Sequence, residues 1–128
     1  MIIAYHHTQI TAPKGAEADV RRFYRDVLGL KETPLPEALR DRNLIWFEVG
    51  ASTLHVGFED GVNRAATNAH LAYEVDDIAA FRRRVKDAGY ELIEQPKIAG
   101  YDRFHTHDPF GNRLEIIGRN DVARATSP

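Results

Sequence analysis

Cysteine is absent from this chain, and methionine and tryptophan each occur only once. Without cysteine there is no disulfide, no thiolate nucleophile and no sulfur-ligated metal site, so any transition metal must be held by nitrogen and oxygen. No apolar run approaches the ~18 residues that a membrane span needs. The start of the chain also lacks a basic region followed by an apolar stretch. We therefore expect no membrane partner and a cytoplasmic location.

The charge balance is close to neutral, with a formal net charge of −2 over 128 residues. Arginine clusters at positions 21–25 and 82–84 have aspartates beside them, a pattern typical of solvated helix faces rather than of a nucleic-acid surface. A hydrophobic fraction of 43% suits a globular chain, and the length is sufficient for one domain with its own core. We expect no nucleic-acid partner.

The strongest pattern in the sequence is an internal repeat with an offset of about sixty residues. Two pairs of matched positions carry residues of the metal-ligand type, and two pairs carry glycine. The pairs are His7 with His70, Gly29 with Gly89, Gly50 with Gly111, and His55 with Glu115. Because a duplicated unit that folds against its copy brings equivalent positions toward a shared axis, the repeat predicts three imidazoles and one carboxylate near one point.

Apolar spacing predicts the same order of elements in both halves, namely strand, helix and three strands. The first half predicts a strand at 1–11, a helix from Ala16 with Gly29 as its C-cap, an edge strand or loop at 30–36, and strands at 44–49 and 52–58. The second half predicts a strand at 68–75, a helix over 78–88, strands at 90–94, 101–107 and 113–118, and a polar tail at 120–128.

Strand alternation gives the metal-type residues a common direction. If Leu54 and Val56 pack under a helix, His55 points to the opposite face, and the same holds for Glu115 between two aliphatic neighbours. Each residue taken alone could be a hydrogen-bonded structural histidine or an exposed glutamate. Their matched positions favour a shared site for one divalent ion, with His6 as an alternative to His7. The predicted metal ligands are His7, His55, His70 and Glu115.

Four segments, at 6–10, 23–30, 70–77 and 108–115, resemble motifs of the vicinal oxygen chelate superfamily. They read HHTQI, FYRDVLGL, HLAYEVDD and DPFGNRLE, and they cover both ends and the middle of the chain. This superfamily includes glyoxalases, fosfomycin-resistance transferases, bleomycin-binding proteins, extradiol dioxygenases and methylmalonyl-CoA epimerases. Each motif is weak alone, and their combination is specific.

The resemblance implies an α+β fold of two βαβββ modules that form a U-shaped, partly open barrel-like sheet with helices on the outside. We expect one domain over 1–119, with modules at about 1–60 and 66–119. In the family the metal ligands come from the first, fourth, fifth and eighth strands, which here carry the same four residues. A homodimer is implied, with the cleft formed within one chain or across two.

The resemblance and strand alternation also imply a substrate-binding set. Arg103 is expected to bind an anionic group, although it could instead be a surface residue or form a salt bridge, and Trp46 could belong to the core. The lysine and serine set that grips potassium and phosphonate in the fosfomycin transferases is not recognisable, so thiol transfer to fosfomycin is not expected. The predicted substrate-binding residues are Gln9, Trp46, Tyr101, Arg103 and His105.

Three functions follow as hypotheses. The first is a metal-dependent enzyme with isomerase, lyase or oxygenase chemistry on a small oxygen-chelating substrate, using Zn, Ni, Co, Mn or Fe. Glu115 could also act there as a catalytic base. His55 departs from the Glu or Gln common at its position, which weakens assignment to glyoxalase or epimerase chemistry. The second hypothesis is a drug- or metabolite-sequestering protein of the bleomycin-resistance type, and the third is a metal-bearing structural or regulatory domain.

Overall fold

A computed structural model describes residues 1–120. The chain forms two compact units, Met1–Val62 and a second that begins at Asn63, here called the first and second modules. Each module contains one four-stranded mixed sheet, with a helical segment between its first and second strands. This confirms the predicted α+β class and the repeated βαβββ order. None of the helices in the described part combines the length and apolarity needed to cross a bilayer.

In the first module the sheet order is β1-β4-β3-β2, with β1 parallel to β4 and the other pairs antiparallel. A 3₁₀ turn, Glu37–Leu39, lies between the second and third strands. The elements are β1 (His7–Ala12), α1 (Glu17–Val20) continuing into the π-helical segment Arg21–Val27, β2 (Lys31–Thr33), β3 (Ile45–Val49) and β4 (Ser52–Phe58).

In the second module the sheet order is β5-β8-β7-β6, with the same parallel and antiparallel relationships. A 3₁₀ turn, Arg64–Ala66, precedes the first strand of this module. The elements are β5 (His70–Val75), α2 (Ile78–Asp87), β6 (Ile93–Glu94), β7 (Tyr101–His107) and β8 (Arg113–Arg119). The bounds of β4 and β7 are those predicted, whereas the predicted tail lies outside the described residues except for Asn120.

The first strand begins later than predicted, at His7 rather than at residue 1. Its parallel pairing with β4 starts where His7 lies opposite Thr53, and within residues 1–120 the preceding segment belongs to no strand. The side chains of Ile2 and Ile3 are accordingly 94% and 93% exposed. Strand propensity was present in this segment, but a strand also needs a partner for its backbone groups.

The first predicted helix is also less regular than its apolar spacing indicated. The N–H of Leu28 donates to the carbonyl of Phe23, five residues back, at 2.9 Å, which is the hydrogen bond of a π-helix. Two adjacent aromatic residues of this widened segment, Phe23 and Tyr24, are both buried. Apolar steps of three and four residues do not distinguish such a segment from an α-helix.

Each helical segment covers one face of its own sheet. In the second module Val85 of α2 forms a core cluster with Phe104 and Ile116 of the sheet. In the first module the rings of Tyr24 and Phe47 lie 6.0 Å apart between helix and sheet. Since successive strand residues point to opposite faces, the residues between these core positions lie on the face away from the helix. The candidate site residues occupy that second face.

Candidate metal centre

Strand register brings Glu115 beside two histidines in the second module. The antiparallel pairing of β7 with β8 sets His105 directly opposite Glu115. The parallel pairing of β5 with β8 sets Ala72 opposite Glu115, with His70 two residues earlier on the same face. One ligand-type atom from each of His70, His105 and Glu115 lies within 4.8 Å of the others. Two of the four predicted ligands, His70 and Glu115, therefore lie together in this module, beside His105.

One oxygen of Glu115 receives most of the contacts. Its Oε1 accepts from Nε2 of His105 at 3.0 Å and from Nη1 of Arg103 at 3.3 Å, and lies 3.2 Å from Nε2 of His70. Burial raises the pKa of Glu115, but the His105 hydrogen bond and the nearby positive charges outweigh burial and hold this pKa below its ordinary value. The carboxylate is thus ionised at neutral pH.

The other ring nitrogen of His70 contacts the backbone. Nδ1 of His70 lies 2.9 Å from the carbonyl oxygen of Asn68, an atom that can only accept, so this partner assigns the proton to Nδ1. Nε2 of His70 then presents a lone pair toward Glu115, whose oxygen is also an acceptor. Such a contact is favourable only when a proton or a metal ion lies between the two atoms. A metal-ligating histidine commonly has this arrangement.

His105 has a different partner on its second nitrogen. Nε of Arg113 donates to Nδ1 of His105 at 2.7 Å, while Nε2 of His105 faces Glu115. The side chain is only 6% exposed. Burial is the main cause that lowers the pKa of His105, and the charge of Arg113 lowers it further, although the contact with Glu115 acts in the opposite direction. The imidazole is therefore held in its neutral form.

In the first module, three rings stack across the sheet. Trp46 of β3 lies directly opposite His55 of β4, with ring centroids 3.9 Å apart, and His7 of β1 stacks on the other face of His55 at 4.1 Å. Nε2 of His55 also lies 3.0 Å from Oγ1 of Thr53. Burial, followed by the charges of His7 and His6, lowers the pKa of His55. Trp46 thus lies on the same face of the sheet as His55. The buried core residues of β3 are Ile45 and Phe47, the sequence neighbours of Trp46.

The stacked pair limits how His7 and His55 could bind one ion. Their planes are inclined by only 13°, and a metal bonds an imidazole nitrogen close to the plane of the ring, at about 2.0–2.1 Å. Two stacked parallel rings do not share a plane, so one ring must turn before both nitrogens reach a common ion. His6 contacts His7 through their Nδ1 atoms at 2.9 Å.

The remaining predicted substrate-binding residues lie on the same sheet faces as the predicted metal ligands. Gln9 is opposite His55 in the β1–β4 pairing, and its Nε2 lies only 2.9 Å from where a Cβ on Gly57 would be. Arg103 donates through Nε to the Pro96 carbonyl at 3.1 Å in addition to its contact with Glu115. The ring of Tyr101 lies under the guanidinium of Arg119, at 5.9 Å. Their roles toward a substrate stay predictions.

Two relationships in the site were not predicted from the sequence. One is the Arg113–His105 hydrogen bond. The other is that Trp46 and His105 occupy matched places, each directly opposite a predicted ligand on the neighbouring antiparallel strand. The sequence of the turn before β8 does indicate the second relationship. Asp108 accepts from the backbone N–H of Asn112, and this contact fixes the register of the β7–β8 hairpin.

The donor set fits a divalent ion of borderline softness. Imidazole nitrogen and carboxylate oxygen suit zinc, iron, manganese, nickel and cobalt, and the chain contains no sulfur ligand except its one methionine. In the second module, the tautomer of His70 and the ionised state of Glu115 both agree with metal binding. The structure places His70, His105, Arg103 and Glu115 together in the second module, and His7, Trp46 and His55 together in the first.

Comparison with known proteins agrees with this fold. A glyoxalase family protein from Bacillus anthracis is 36% identical, with a TM-score of 0.86 and a match that covers 94% of this chain and 98% of that one. A glyoxalase/dioxygenase from Nostoc punctiforme is 18% identical, with a TM-score of 0.77 and coverage of 91% and 90%. The fosfomycin resistance protein FosX from Listeria monocytogenes, in a complex with Mn(II) and sulfate ion, is 15% identical, with a TM-score of 0.76 and coverage of 97% and 96%.

At 18% and 15% identity, the Nostoc punctiforme and FosX structures show a similarity of fold alone. No curated protein matches the chain. A family model, that of the Glyoxalase/Bleomycin resistance protein/Dioxygenase superfamily, matches residues 5–116. The chain belongs to the Glyoxalase/Bleomycin resistance protein/Dioxygenase superfamily.

Proposed function

We propose that this protein is a metal-dependent enzyme that acts on a small substrate which chelates the ion through two neighbouring oxygens. The observation that supports this most directly is the meeting of His70 and Glu115. There, Nε2 of a histidine with its proton on Nδ1 faces an ionised carboxylate at 3.2 Å. Because this contact needs either a proton or a metal ion between the two atoms, a bound ion would take the place of the proton and form a coordinate bond to each atom.

The proposed ligand set is completed by His7 and His55, from the same chain or from a second copy. Their matched places in the repeat support this assignment, and rotation of one stacked ring would free both nitrogens. Four protein ligands on a six-coordinate ion leave two positions for a chelating substrate. The Mn(II) in the FosX complex shows that a protein with this fold holds a divalent ion, and we extend that property to this chain as a proposal.

When bound, the ion would supply Lewis acidity toward a developing negative charge on substrate oxygen. The side chains of the chain itself supply orientation. Arg103 holds Glu115 and lies on the same strand face as Tyr101 and His105, so a substrate anion near Glu115 would lie near the Arg103 guanidinium. A lowered pKa makes Glu115 a good ligand and a weak base. We therefore propose that Glu115 acts first as a ligand, and as a base only after leaving the ion.

A sequestering protein is the second candidate, because the first module offers an aromatic surface beside a depression. The depression has a volume of about 360 Å³, which lies within the range of small-molecule sites. Its lining includes Trp46, Leu44, Arg21 and Glu32. A flat aromatic ligand could stack there without any metal. The two candidates differ in what they require, since only the enzyme requires an ion.

Metal content separates the two candidates. Protein purified without a histidine tag should bind about one divalent ion per chain after incubation with Zn, Ni, Co, Mn or Fe salts, as measured by plasma mass spectrometry. The Glu115→Gln variant should lose the ion. Glu74→Gln is the matched control, because Glu74 is an exposed strand residue of the same module that pairs with Arg119. Retention of metal by Glu115→Gln, or no metal in either variant or the parent, would reject the proposed centre.

A metal-loaded sample then allows a substrate screen. Methylglyoxal hemithioacetal, catechols and fosfomycin represent the isomerase, oxygenase and epoxide-opening chemistries of the superfamily. We expect turnover, where it occurs, to require the ion and to be lost in His70→Gln as well as in Glu115→Gln. Tight binding of an aromatic compound by the metal-free protein, with no turnover under any ion, would favour the sequestering candidate.

A further inference from the structure

We propose that His105 is a positioning residue and not a metal ligand: its Nε2–H holds Glu115, and Arg113 fixes the tautomer that makes this possible. The inference rests on the proposed metal-binding function, and it identifies which of the three clustered residues in the second module bind the ion. Distance alone does not distinguish them, since His70, His105 and Glu115 all lie within 4.8 Å of one another.

The reason is the chemistry of the Arg113 contact. An arginine nitrogen donates and does not accept, so Nδ1 of His105 must offer its lone pair to Nε of Arg113 at 2.7 Å. A neutral imidazole has one lone pair and one N–H, and the N–H is then on Nε2, which lies 3.0 Å from Oε1 of Glu115. A metal at that Nε2 would require loss of the Arg113 hydrogen bond or a doubly deprotonated ring.

His70 has the opposite tautomer. Its Nδ1 is beside the carbonyl oxygen of Asn68, which accepts, so the neutral form of this ring has its lone pair on Nε2. Nε2 of His70 and Nε2 of His105 therefore both lie beside Oε1 of Glu115, the first as an acceptor and the second as a donor. Only the acceptor is prepared for a metal ion. The partner of Nδ1 causes this difference, since it is an acceptor for His70 and a donor for His105.

The internal repeat supports the same division of roles. Trp46 lies opposite His55 in the β3–β4 pairing, and His105 lies opposite Glu115 in the β7–β8 pairing. In the first module this place supplies a ring that stacks on an imidazole, and in the second it supplies an N–H that binds a carboxylate. At both places the neighbouring strand immobilises the proposed ligand.

The proposed geometry leaves positions on the Glu115 carboxylate open for the ion. His105 and Arg103 both donate to Oε1 of Glu115, whereas no hydrogen bond from residues 1–120 reaches Oε2. The two donors on Oε1 would fix the carboxylate plane and present Oε2, or the remaining side of Oε1, toward the Nε2 lone pair of His70. Partners of this kind commonly change metal affinity by 10- to 100-fold when they are removed.

The first test needs no metal. Long-range ¹H–¹⁵N NMR on the metal-free chain should show His105 protonated on Nε2 and unprotonated on Nδ1. The Arg113→Met variant, which keeps an aliphatic stem but loses the donor, should show a larger share of the Nδ1-protonated tautomer of His105 than the parent. A proton on Nδ1 of His105 in the parent protein would overturn the proposal. Because no ion is present, this result stands whether or not the proposed metal centre is correct.

The second test counts ligands. Cu(II) bound to the protein should give a pulsed EPR spectrum in which the number of coordinated imidazoles is the same for the parent and for His105→Gln, whose amide N–H can still donate to Glu115. His70→Gln should show one imidazole fewer. The Cu(II) affinity of His105→Gln should fall less than about 10-fold, and that of Arg113→Met by about 10-fold. Loss of one imidazole in His105→Gln would overturn the proposal, whereas absence of any bound ion in the parent would reject the proposed function itself.

Discussion

Trp46 and His55 lie face to face on paired strands, with ring centroids 3.9 Å apart and planes inclined by only 4°. Trp46 is the single tryptophan of the chain, so its fluorescence reports on the surroundings of His55 without interference. We predict that Ni(II) or Co(II), which quench tryptophan emission at short range, reduce the fluorescence in a saturable titration. The reason is that coordination by His55 would hold the ion close to the indole.

The control for this titration is a histidine that is not a proposed ligand. His55→Gln should weaken the quenching, whereas His107→Gln, at the end of β7, should leave it unchanged. Equal quenching in the parent and in His55→Gln would contradict a role for His55 as a ligand, even if the chain binds metal elsewhere.

The second prediction concerns Arg82, which connects α2 to the sheet of the second module. Its guanidinium donates to Asp102 at 2.6 and 2.7 Å and to Glu94 at 2.8 Å, and lies 5.3 Å from the centre of the Phe104 ring. We expect Arg82→Met to lower the free energy of unfolding by about 1–2 kcal/mol, a value reduced for partial solvent exposure. Arg83→Met is the control, since Arg83 is exposed on the same helix.

The effect of Arg82→Met should depend on pH with a definite sign. The hydrogen bond from Arg82 is the main cause that holds the pKa of Asp102 below its ordinary value. A carboxyl group with a lowered folded-state pKa stabilises the fold at pH values above about 4, and this contribution is lost as the pH falls through the lowered pKa. Urea unfolding at pH 7 and near pH 3 should therefore show a smaller difference between parent and variant at the lower pH. A constant difference would contradict this account.

The third prediction compares two glycines with similar backbone angles. Gly111 has φ of 99° and Gly89 has φ of 91°, so alanine at either position should cost about 1 kcal/mol for conformation alone. A Cβ at position 111 would also lie 3.1 Å from the backbone nitrogen of Ala65, whereas one at position 89 has nothing within 4 Å. Gly111→Ala should therefore destabilise the protein by about 1 kcal/mol more than Gly89→Ala. Thermal or urea unfolding measures the difference, and equal losses would show that Ala65 moves away freely.

The repeat in the sequence predicted the order of helices and strands in both modules, and two of the four residues that it marked as ligands, His70 and Glu115, lie together in the second module. Alternation around Leu114 and Ile116 correctly placed Glu115 away from the helix, because the pleat of a strand leaves two faces and the core occupies one. The start of β1 was wrong because propensity does not reveal whether a partner strand is available. The Arg113–His105 contact could not be foreseen, since it depends on hairpin register and on the rotamers of two long side chains.

The fourth prediction concerns quaternary structure, for which we propose a homodimer. Large apolar side chains before β1 are almost fully exposed, including Ile2, Ile3 and Tyr5. Apolar groups on this scale are commonly covered by a partner, and burial of each would contribute about 1.5–3 kcal/mol. Sedimentation velocity at micromolar concentration should give a dimer for the parent. The Ile2→Glu/Ile3→Glu variant should shift the equilibrium toward monomer, whereas the surface control Glu59→Gln should not. A monomeric parent would remove the proposal of a dimer, and the ligands His7 and His55 would then have to come from the same chain as His70 and Glu115.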